Sequence, residues 1–225
     1  HATTDTPYYV GLFGTLMDAT IKNLNITDAY VYYAISNYTL RAGIVAGIAT
    51  NTCFYNCDVQ GVLSAVAMDG GGIAGNLTAT ADFNDTVFIK DCVNRADIYS
   101  VTNVGGVVGL TDNEDYNVLV ENCTNYGMID GGMSGGIIGD GEGFIIRNCK
   151  NYGKVGYILN RATTSGGMAG QGGSFVLIED CVNYETGLIQ AGNAGGMIGA
   201  AMNSVIRRCG NRATITSNHY NTLFA

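Results

Sequence analysis

A five-residue glycine motif recurs along the chain at a nearly constant spacing. Its clearest copy, Gly-Gly-Ile-Ile-Gly, is residues 135–139. Six further segments repeat it closely or loosely: residues 10–14, 42–46, 71–75, 105–109, 166–170 and 195–199. The second residues of successive copies are 29 to 34 positions apart. Repetition at a fixed period of this length is typical of stacked repeat proteins, in which each unit contacts only its neighbours.

A second motif follows most of the glycine segments. It reads apolar, any residue, apolar, polar, Asn or Asp, Cys, any residue, Asn, and its copies, some with small changes, are residues 87–94, 118–125, 144–151, 176–183 and 204–211. Alternation at period two with many β-branched side chains indicates short strands. The Asn or Asp before each cysteine suits a corner between strands. A further apolar position follows each cysteine, at Ile98, Ile129, Val155 and Ile215.

These patterns predict an all-β fold, a parallel β-solenoid of about seven coils of about 30 residues each. No repeat carries a convincing helical period, so helical repeats are disfavoured. We expect residues 1–8 to be an N-terminal tail and residues 9–225 to form one solenoid domain. Residues 221–225 echo residues 10–14 and suggest a truncated eighth motif.

The charge and hydropathy of the chain exclude two classes of partner for this segment. The formal net charge is −8, with no run of Lys or Arg. Binding to nucleic acid is therefore not expected, because neutralising phosphates needs clustered cations. No apolar run approaches the ~18 residues of a membrane-spanning helix, so no membrane span is predicted in this segment.

The recurring cysteines and asparagines are interpreted as structural ladders. Parallel coils would set neighbouring cysteine side chains side by side, whereas a disulfide needs converging Cβ vectors and a metal site needs converging ligands. We therefore expect a column of small, buried free thiols. Stacked asparagine amides can hydrogen-bond along the solenoid axis. The thiol column is Cys57, Cys92, Cys123, Cys149, Cys181 and Cys209, and the amide column is Asn94, Asn125, Asn151, Asn183 and Asn211.

A row of tyrosines is the first candidate binding surface. Tyr126, Tyr152 and Tyr184 share one repeat position, directly after the asparagine. They should therefore line one edge of the solenoid. Exposed aromatic rings can stack on sugar rings or on a partner protein, although they can also simply cover a corner.

Two repeats carry extra residues, around positions 78–86 and 111–117, which we interpret as loops. They hold the densest carboxylates of the chain: Asp82, Asp85, Asp112, Glu114 and Asp115. Oxygen ligands on adjacent loops could bind Ca²⁺. The spacing of these carboxylates fits no known calcium loop, however, so a solvated acidic patch is the preferred interpretation and the primary prediction is that no cofactor is bound. The same carboxylates could be proposed as a glycosidase pair, but nothing in the sequence indicates that one of them is buried.

Other short motifs carry less information. Gly70, Gly72 and Gly75 match the dinucleotide-binding fingerprint, which requires a strand before it and a helix after it. No helix is predicted there, so the glycines are assigned to tight corners. Sequons for N-glycosylation occur at Asn25, Asn37, Asn76, Asn84 and Asn122. No Ser/His/Asp or Cys/His constellation is recognisable, and the chain is not expected to be an enzyme.

The repeats resemble those of the GLUG-motif family. Gly11-Leu12-Phe13-Gly14, followed by Ile21-Lys22-Asn23-Leu24-Asn25-Ile26, looks like the GLUG repeat, as do the later glycine-plus-cysteine units. The departures are Ala46 in place of Gly, Leu24 in place of Cys, and the two insertions. The resemblance implies a module of a large secreted or cell-surface, adhesin-like protein, without catalytic residues of its own.

Three functions follow as hypotheses. The first is a non-catalytic stalk or ligand-displaying segment at the cell surface or outside the cell, whose partner is a host or cell-surface protein or glycan. The second is a subunit of an extracellular filament joined end to end through unpaired strand edges. The third is a carbohydrate-binding or carbohydrate-active β-helix protein.

Overall fold

The computed structural model describes residues 8–33, 40–66, 68–80, 86–112, 118–156 and 162–217. Every regular element in these ranges is a β-strand, and every strand pairing is parallel. The predicted all-β parallel solenoid is confirmed. Residues 1–7 of the expected tail and residues 221–225 of the eighth motif lie outside the described residues.

Within the described ranges, three sheets each contain seven strands, stacked in chain order. Sheet 1 consists of Tyr9–Val10, Arg41–Gly43, Asp69–Gly71, Asn103–Gly105, Met133–Gly135, Thr164–Gly166 and Asn193–Gly195. Sheet 2 consists of Phe13–Met17, Ala46–Thr50, Ala74–Thr78, Val108–Thr111, Ile138–Gly141, Ala169–Gly172 and Ile198–Ala201. Sheet 3 consists of Thr20–Lys22, Cys53–Tyr55, Val87–Lys90, Val118–Glu121, Phe144–Arg147, Val176–Glu179 and Ser204–Arg207.

The remaining strands close each coil. Sheet 4 has nine strands: Asn25–Tyr33, Asp58–Ala65, Val93–Asn94, Asp97–Tyr99, Thr124–Asn125, Ile129–Asp130, Lys150–Asn151, Val182–Asn183 and Gly210–Asn211. Leu188–Ala191 pairs with Thr214–Ser217. Bridges at Val155 join this pair to sheet 4. From the first to the seventh strand of a sheet the chain makes about six turns.

Strand pairing corrects the alignment of the second glycine segment. Gly43 lies opposite Gly71, and Ala46 lies opposite Ala74. The true second copy is therefore residues 43–47, ending in Gly47, and not residues 42–46 as the sequence suggested. Ala46 is not a substitution for the last glycine of the motif. The error arose because Ile44 occupies the second position, where later copies have glycine.

The corner before each cysteine has a left-handed backbone. The φ angles at this position lie between 49° and 56° in Asn23, Asn56, Asp91, Asn122, Asn148, Asp180 and Arg208. Asn and Asp tolerate this region better than other non-glycine residues, which explains their recurrence and confirms the predicted corner. The turn then directs the following side chain inward.

The thiol column lies inside the solenoid, as predicted. Cys57, Cys92, Cys123, Cys149 and Cys181 are at most 1% exposed, and Cys209 at the end of the stack is half-buried. All seven cysteines are free thiols. The backbone N–H of Cys123 donates to Cys149 Sγ over 3.4 Å. The column packs among valine and isoleucine side chains and behaves as a line of small apolar residues.

The amide column is a continuous hydrogen-bonded chain. From each asparagine Nδ2 donates to Oδ1 of the next, over 2.7 Å from Asn94 to Asn125 and 2.8 Å in the three later steps, to Asn151, Asn183 and Asn211. The first four side chains are fully buried. Most of them also donate to a backbone carbonyl two residues on, so the buried amides are satisfied.

Candidate functional site

The predicted tyrosine row is a stack of parallel rings. Tyr126 and Tyr152 have ring centroids 5.0 Å apart at 12°, and Tyr152 and Tyr184 are 4.2 Å apart at 9°. The guanidinium of Arg95 lies 4.9 Å from the Tyr126 ring, and that of Arg212 lies 5.8 Å from the Tyr184 ring. These five residues occupy the same position in five successive coils.

Stacking engages the faces of the rings, although the row stays partly open to solvent, with Tyr126 47% exposed. Both faces of Tyr152 are covered by its neighbours, and the outer faces of Tyr126 and Tyr184 are covered by arginines. A sugar ring stacks on an aromatic face, and these faces are occupied within the fold. The hydroxyl edge of the row is what remains for a partner, so this geometry favours the interpretation of the tyrosines as a covered corner.

The carboxylates considered as calcium ligands belong to the two inserted segments. Asp82, Asp85, Glu114 and Asp115 lie outside the described residues, whereas Asp112 is described. Within the described ranges no three His, Cys, Asp or Glu side chains converge to hold a metal ion. Asp112 instead lines an acidic groove that the sequence did not reveal.

The acidic groove has a volume of about 380 Å³, and most of its lining residues lie in strands of sheet 2 or directly after them. It is lined by Asn103, Leu110, Thr111, Asp112, Asp140, Gly141, Glu142, Gln171 and Gly173. Strand pairing explains why these residues meet, because Leu110 lies opposite Asp140 in adjacent coils. The described residues of this lining include three carboxylates and no basic side chain.

Electrostatics in the acidic groove disfavour the charged form of Asp140. Burial raises the pKa of Asp140, the nearby Glu142 raises it further, and the Gly141 N–H that donates to Asp140 Oδ1 over 2.8 Å opposes the shift. Asp69 pairs with the lining residue Asn103 and is fully buried. Burial also raises the pKa of Asp69, although hydrogen bonds from Asn103 and Arg41 stabilise its carboxylate.

A ladder of alternating charge runs along sheet 3. Its members occupy the polar position before each corner: Lys90, Glu121, Arg147, Glu179 and Arg207. Lys90 Nζ lies 3.1 Å from Glu121, and Glu179 lies 2.7 Å from both Arg147 and Arg207. Glu179 is 3% exposed, and the arginine hydrogen bonds lower its pKa. The ladder was recognisable in the sequence, since all five residues share one motif position.

The sequons differ in accessibility. Asn25 and Asn122 are exposed, and Asn122 donates to Asp91 over 3.1 Å. Asn76 is only 3% exposed, so its side chain is not accessible to a glycosyltransferase in the folded chain. Asn37 and Asn84 lie outside the described residues.

Comparison with known proteins shows the fold alone. No family model and no curated protein matches the chain, so the GLUG resemblance stays a prediction. A solved structure from Bacteroides ovatus, described as a "putative immunoglobulin A1 protease", is similar with a TM-score of 0.50 and 19% sequence identity. The similarity covers 81% of this chain and 66% of that chain, just under two thirds of its length. The described residues contain no helix long and apolar enough to cross a membrane.

Proposed function

We propose that this chain is a rigid, non-catalytic spacer or display segment of an extracellular or cell-surface protein. The observation that carries the proposal is the in-register stacking from the first coil to the seventh, with an amide column from Asn94 in the third coil to Asn211 in the seventh. Such a column makes bending costly, because separating two coils breaks buried hydrogen bonds. Stiffness of this kind suits a segment that holds flanking parts or ligands at a fixed distance.

The GLUG resemblance and the solved structure from Bacteroides ovatus bear on this proposal only in part. The GLUG repeats that the chain resembles belong to secreted and cell-surface proteins, and this is the basis for the proposed location and adhesive role. The activity named for the Bacteroides ovatus protein is not carried over, because the likeness is in fold. Among the described residues we recognise no nucleophile paired with a base, which is the arrangement a covalent mechanism needs.

Rigidity can be measured between two positions in one column of sheet 2. Met17 and Met202 are 66% and 64% exposed and stand at opposite ends of this column. Spin labels at Met17→Cys and Met202→Cys, in a chain with Cys53→Ser and Cys209→Ser, should give a narrow electron-resonance distance distribution. Six coil spacings of about 4.8 Å predict a separation of about 29 Å between the Cα atoms.

A shorter pair provides the matched control for the distance measurement. Thr50 is one coil closer to Met202 than Met17 is, so Thr50→Cys with Met202→Cys should shorten the mean distance by about 4.8 Å. A broad distribution for both pairs, or equal mean distances, would contradict a rigid spacer.

The filament hypothesis has one observation in its favour and one against it. Both ends of the stack expose apolar side chains, including Leu12 at 57% and Met202 at 64%. Stacking a second copy in the same register would, however, place Lys22 next to Arg207, at like-charged positions of sheet 3. Like charges directly opposite each other destabilise strand pairing.

Sedimentation and negative-stain electron microscopy separate these two functions. A monomeric spacer predicts short particles for the wild type. If the filament hypothesis holds, Lys22→Glu should promote fibres, because it removes the like-charge contact with Arg207 of the neighbouring copy. Lys150→Glu, an exposed change of equal charge on sheet 4, is the control and should not promote fibres.

A further inference from the structure

The acidic groove contains a buried hydrogen-bond acceptor without a partner. Asn103 is 4% exposed, and its Nδ2 donates to Asp69 Oδ1 over 2.9 Å. Asp69 also accepts from Arg41 Nε over 3.0 Å. Asn103 Oδ1 has no hydrogen-bond partner among the described residues, and Asn103 lines the groove. Native structures satisfy the great majority of buried polar atoms, so this orphaned oxygen points to a missing donor.

The orientation of the Asn103 amide follows from its neighbours. Asp69 accepts two hydrogen bonds, one from Arg41 and one from Asn103. Reversing the amide would set Asn103 Oδ1 against the Asp69 carboxylate and lose that hydrogen bond. The acceptor of Asn103 is therefore the atom left for a ligand in the groove.

Three carboxylates share the lining of the acidic groove with Asn103. Asp140 lies in the strand Ile138–Gly141, and Glu142 directly follows that strand. Asp112 directly follows the paired strand Val108–Thr111 of the adjacent coil. Gly173 allows the Glu142 side chain to lie across the next coil, since a Cβ at position 173 would be 3.0 Å from Glu142 Oε2. Among the described residues of the lining there is no basic side chain to neutralise the carboxylates. The described lining of the groove therefore offers hydrogen-bond acceptors and negative charge.

We propose that the acidic groove binds a guanidinium group, supplied by an arginine side chain of a partner protein. A guanidinium presents five N–H donors in a planar fork and can reach acceptors on several residues at once. An ammonium group is a more strongly hydrated point charge. A metal ion fits less well, because no three carboxylates converge within the described ranges.

The size of the groove agrees with a side chain as ligand. Its volume of about 380 Å³ is at the low end of the ≈ 300–1,000 Å³ that ligand pockets occupy. This inference goes beyond the proposed spacer function and does not depend on it. A rigid solenoid could lack the site, and the site could exist on a less rigid stack.

Nuclear magnetic resonance titration of the ¹⁵N-labelled chain with N-acetyl-arginine methylamide tests the proposal. We expect shifts at the Asn103 side-chain amide and at the Gly141 N–H, with a dissociation constant of about 1 mM for so small a ligand. N-acetyl-citrulline methylamide, which has the same shape without the charge, should bind at least about tenfold more weakly. Equal binding of both compounds would overturn the proposal, as would binding of calcium chloride at these signals without binding of the arginine compound.

Variants of the lining residues test whether the arginine compound binds in the acidic groove. Asp140→Asn retains an oxygen for the Gly141 N–H and should weaken binding of the arginine compound at least about tenfold. Gly173→Lys is a second variant, which tethers an ammonium group beside Glu142 and should also weaken binding. Glu185→Gln, an exposed change away from the groove, is the control and should leave binding unchanged. Wild-type affinity in folded Asp140→Asn or folded Gly173→Lys would overturn the assignment.

Discussion

Gly136 lies directly against the side-chain amide of Asn151. A Cβ on Gly136 would be 2.5 Å from Asn151 Cγ and 2.2 Å from the Gly167 carbonyl oxygen. The same contact recurs between the second glycine and the asparagine of four other coils: Gly72 with Asn94, Gly106 with Asn125, Gly167 with Asn183, and Gly196 with Asn211. The second glycine of the motif therefore exists to make room for the amide column.

In the second coil, apolar residues occupy both the asparagine position and the glycine position. Its residue in the asparagine column is Val59, paired with Asn94, and its residue in the glycine column is Ile44. Both are buried in the core. Where the amide is replaced by an apolar side chain, the glycine is replaced as well. One chain thus contains two versions of the same packing, one polar and one apolar.

Gly136→Ala should destabilise the chain because a methyl group cannot be accommodated between Asn151 and the next coil. Overpacking of this kind costs about 1–3 kcal/mol of unfolding free energy. Gly210→Ala is the matched control. Nothing lies within 4 Å of a Cβ at position 210, so the change should stay within about 0.5 kcal/mol. Urea unfolding of both variants measures the difference, and equal stabilities would refute the packing argument.

Asn151→Ala should be more damaging than Asn211→Ala. Asn151 donates to Asn183 Oδ1 and to the Gly153 carbonyl, and it accepts from Asn125 and the Gly153 N–H. Removing its amide leaves buried groups unpaired, at about 1–3 kcal/mol for each. Asn211 is exposed at the end of the column, so water can replace its contacts. Thermal unfolding of both variants checks this order, and the reverse order would contradict a buried amide column.

Glu179→Gln should lower the melting temperature at pH 7, with the loss shrinking in acid. The arginine hydrogen bonds lower the folded-state pKa of Glu179 below its ordinary value of 4.5. Its contribution is therefore complete well above pH 4.5 and is lost as the pH falls through the lowered folded-state pKa. Melting temperatures of the wild type and of Glu179→Gln, compared from pH 7 to pH 3, measure this contribution to stability.

Other carboxyl groups also titrate between pH 7 and pH 3, but they change the stability of the wild type and of Glu179→Gln equally. Burial raises the pKa of Asp69 and of Asp140, so their ionised forms are disfavoured in the fold and their effect has the opposite sign. Glu185→Gln, at an exposed position, controls for the lost charge. A Glu179→Gln deficit that stays constant down to pH 3 would count against an ionic role.

Thiol reactivity should follow position in the cysteine column. Burial raises the pKa of Cys123 and Cys149 well above the ordinary value of 9.0, and the thiolate is the reactive form. Cys53 and Cys209 are half-buried and should be alkylated first in native conditions. Mass spectrometry after iodoacetamide treatment at pH 8 reads the order. Rapid native labelling of Cys123, or failure to label it after unfolding without reductant, would be inconsistent with buried free thiols.

The sequence predicted the features that repeat at a fixed position. Period, strand-like alternation and the Asn or Asp corner are local, and they recur enough times to be recognised. The inward cysteines and the amide column followed from parallel stacking alone. The alternating charges from Lys90 to Arg207 had the same kind of signal, since each precedes a corner, but their pairing depends on adjacent coils being in register.

The acidic groove could not be predicted because nothing local marks it. Asn103 belongs to sheet 1 and Asp140 to sheet 2 of the following coil, and only the three-dimensional register brings them together. The tyrosine row was predicted as a row, but ring orientation decided that its faces are covered. The second glycine segment was misaligned because Ile44 breaks the pattern in one coil.

Hydrogen exchange of the asparagine side-chain amides tests the buried axial column most directly. Nuclear magnetic resonance can follow the Nδ2 protons of Asn94, Asn125, Asn151 and Asn183 after transfer to heavy water. We predict protection comparable to that of core backbone amides, with Asn211 exchanging much faster because it is exposed. Fast exchange at all five side chains would contradict a solenoid built around a buried, hydrogen-bonded amide column.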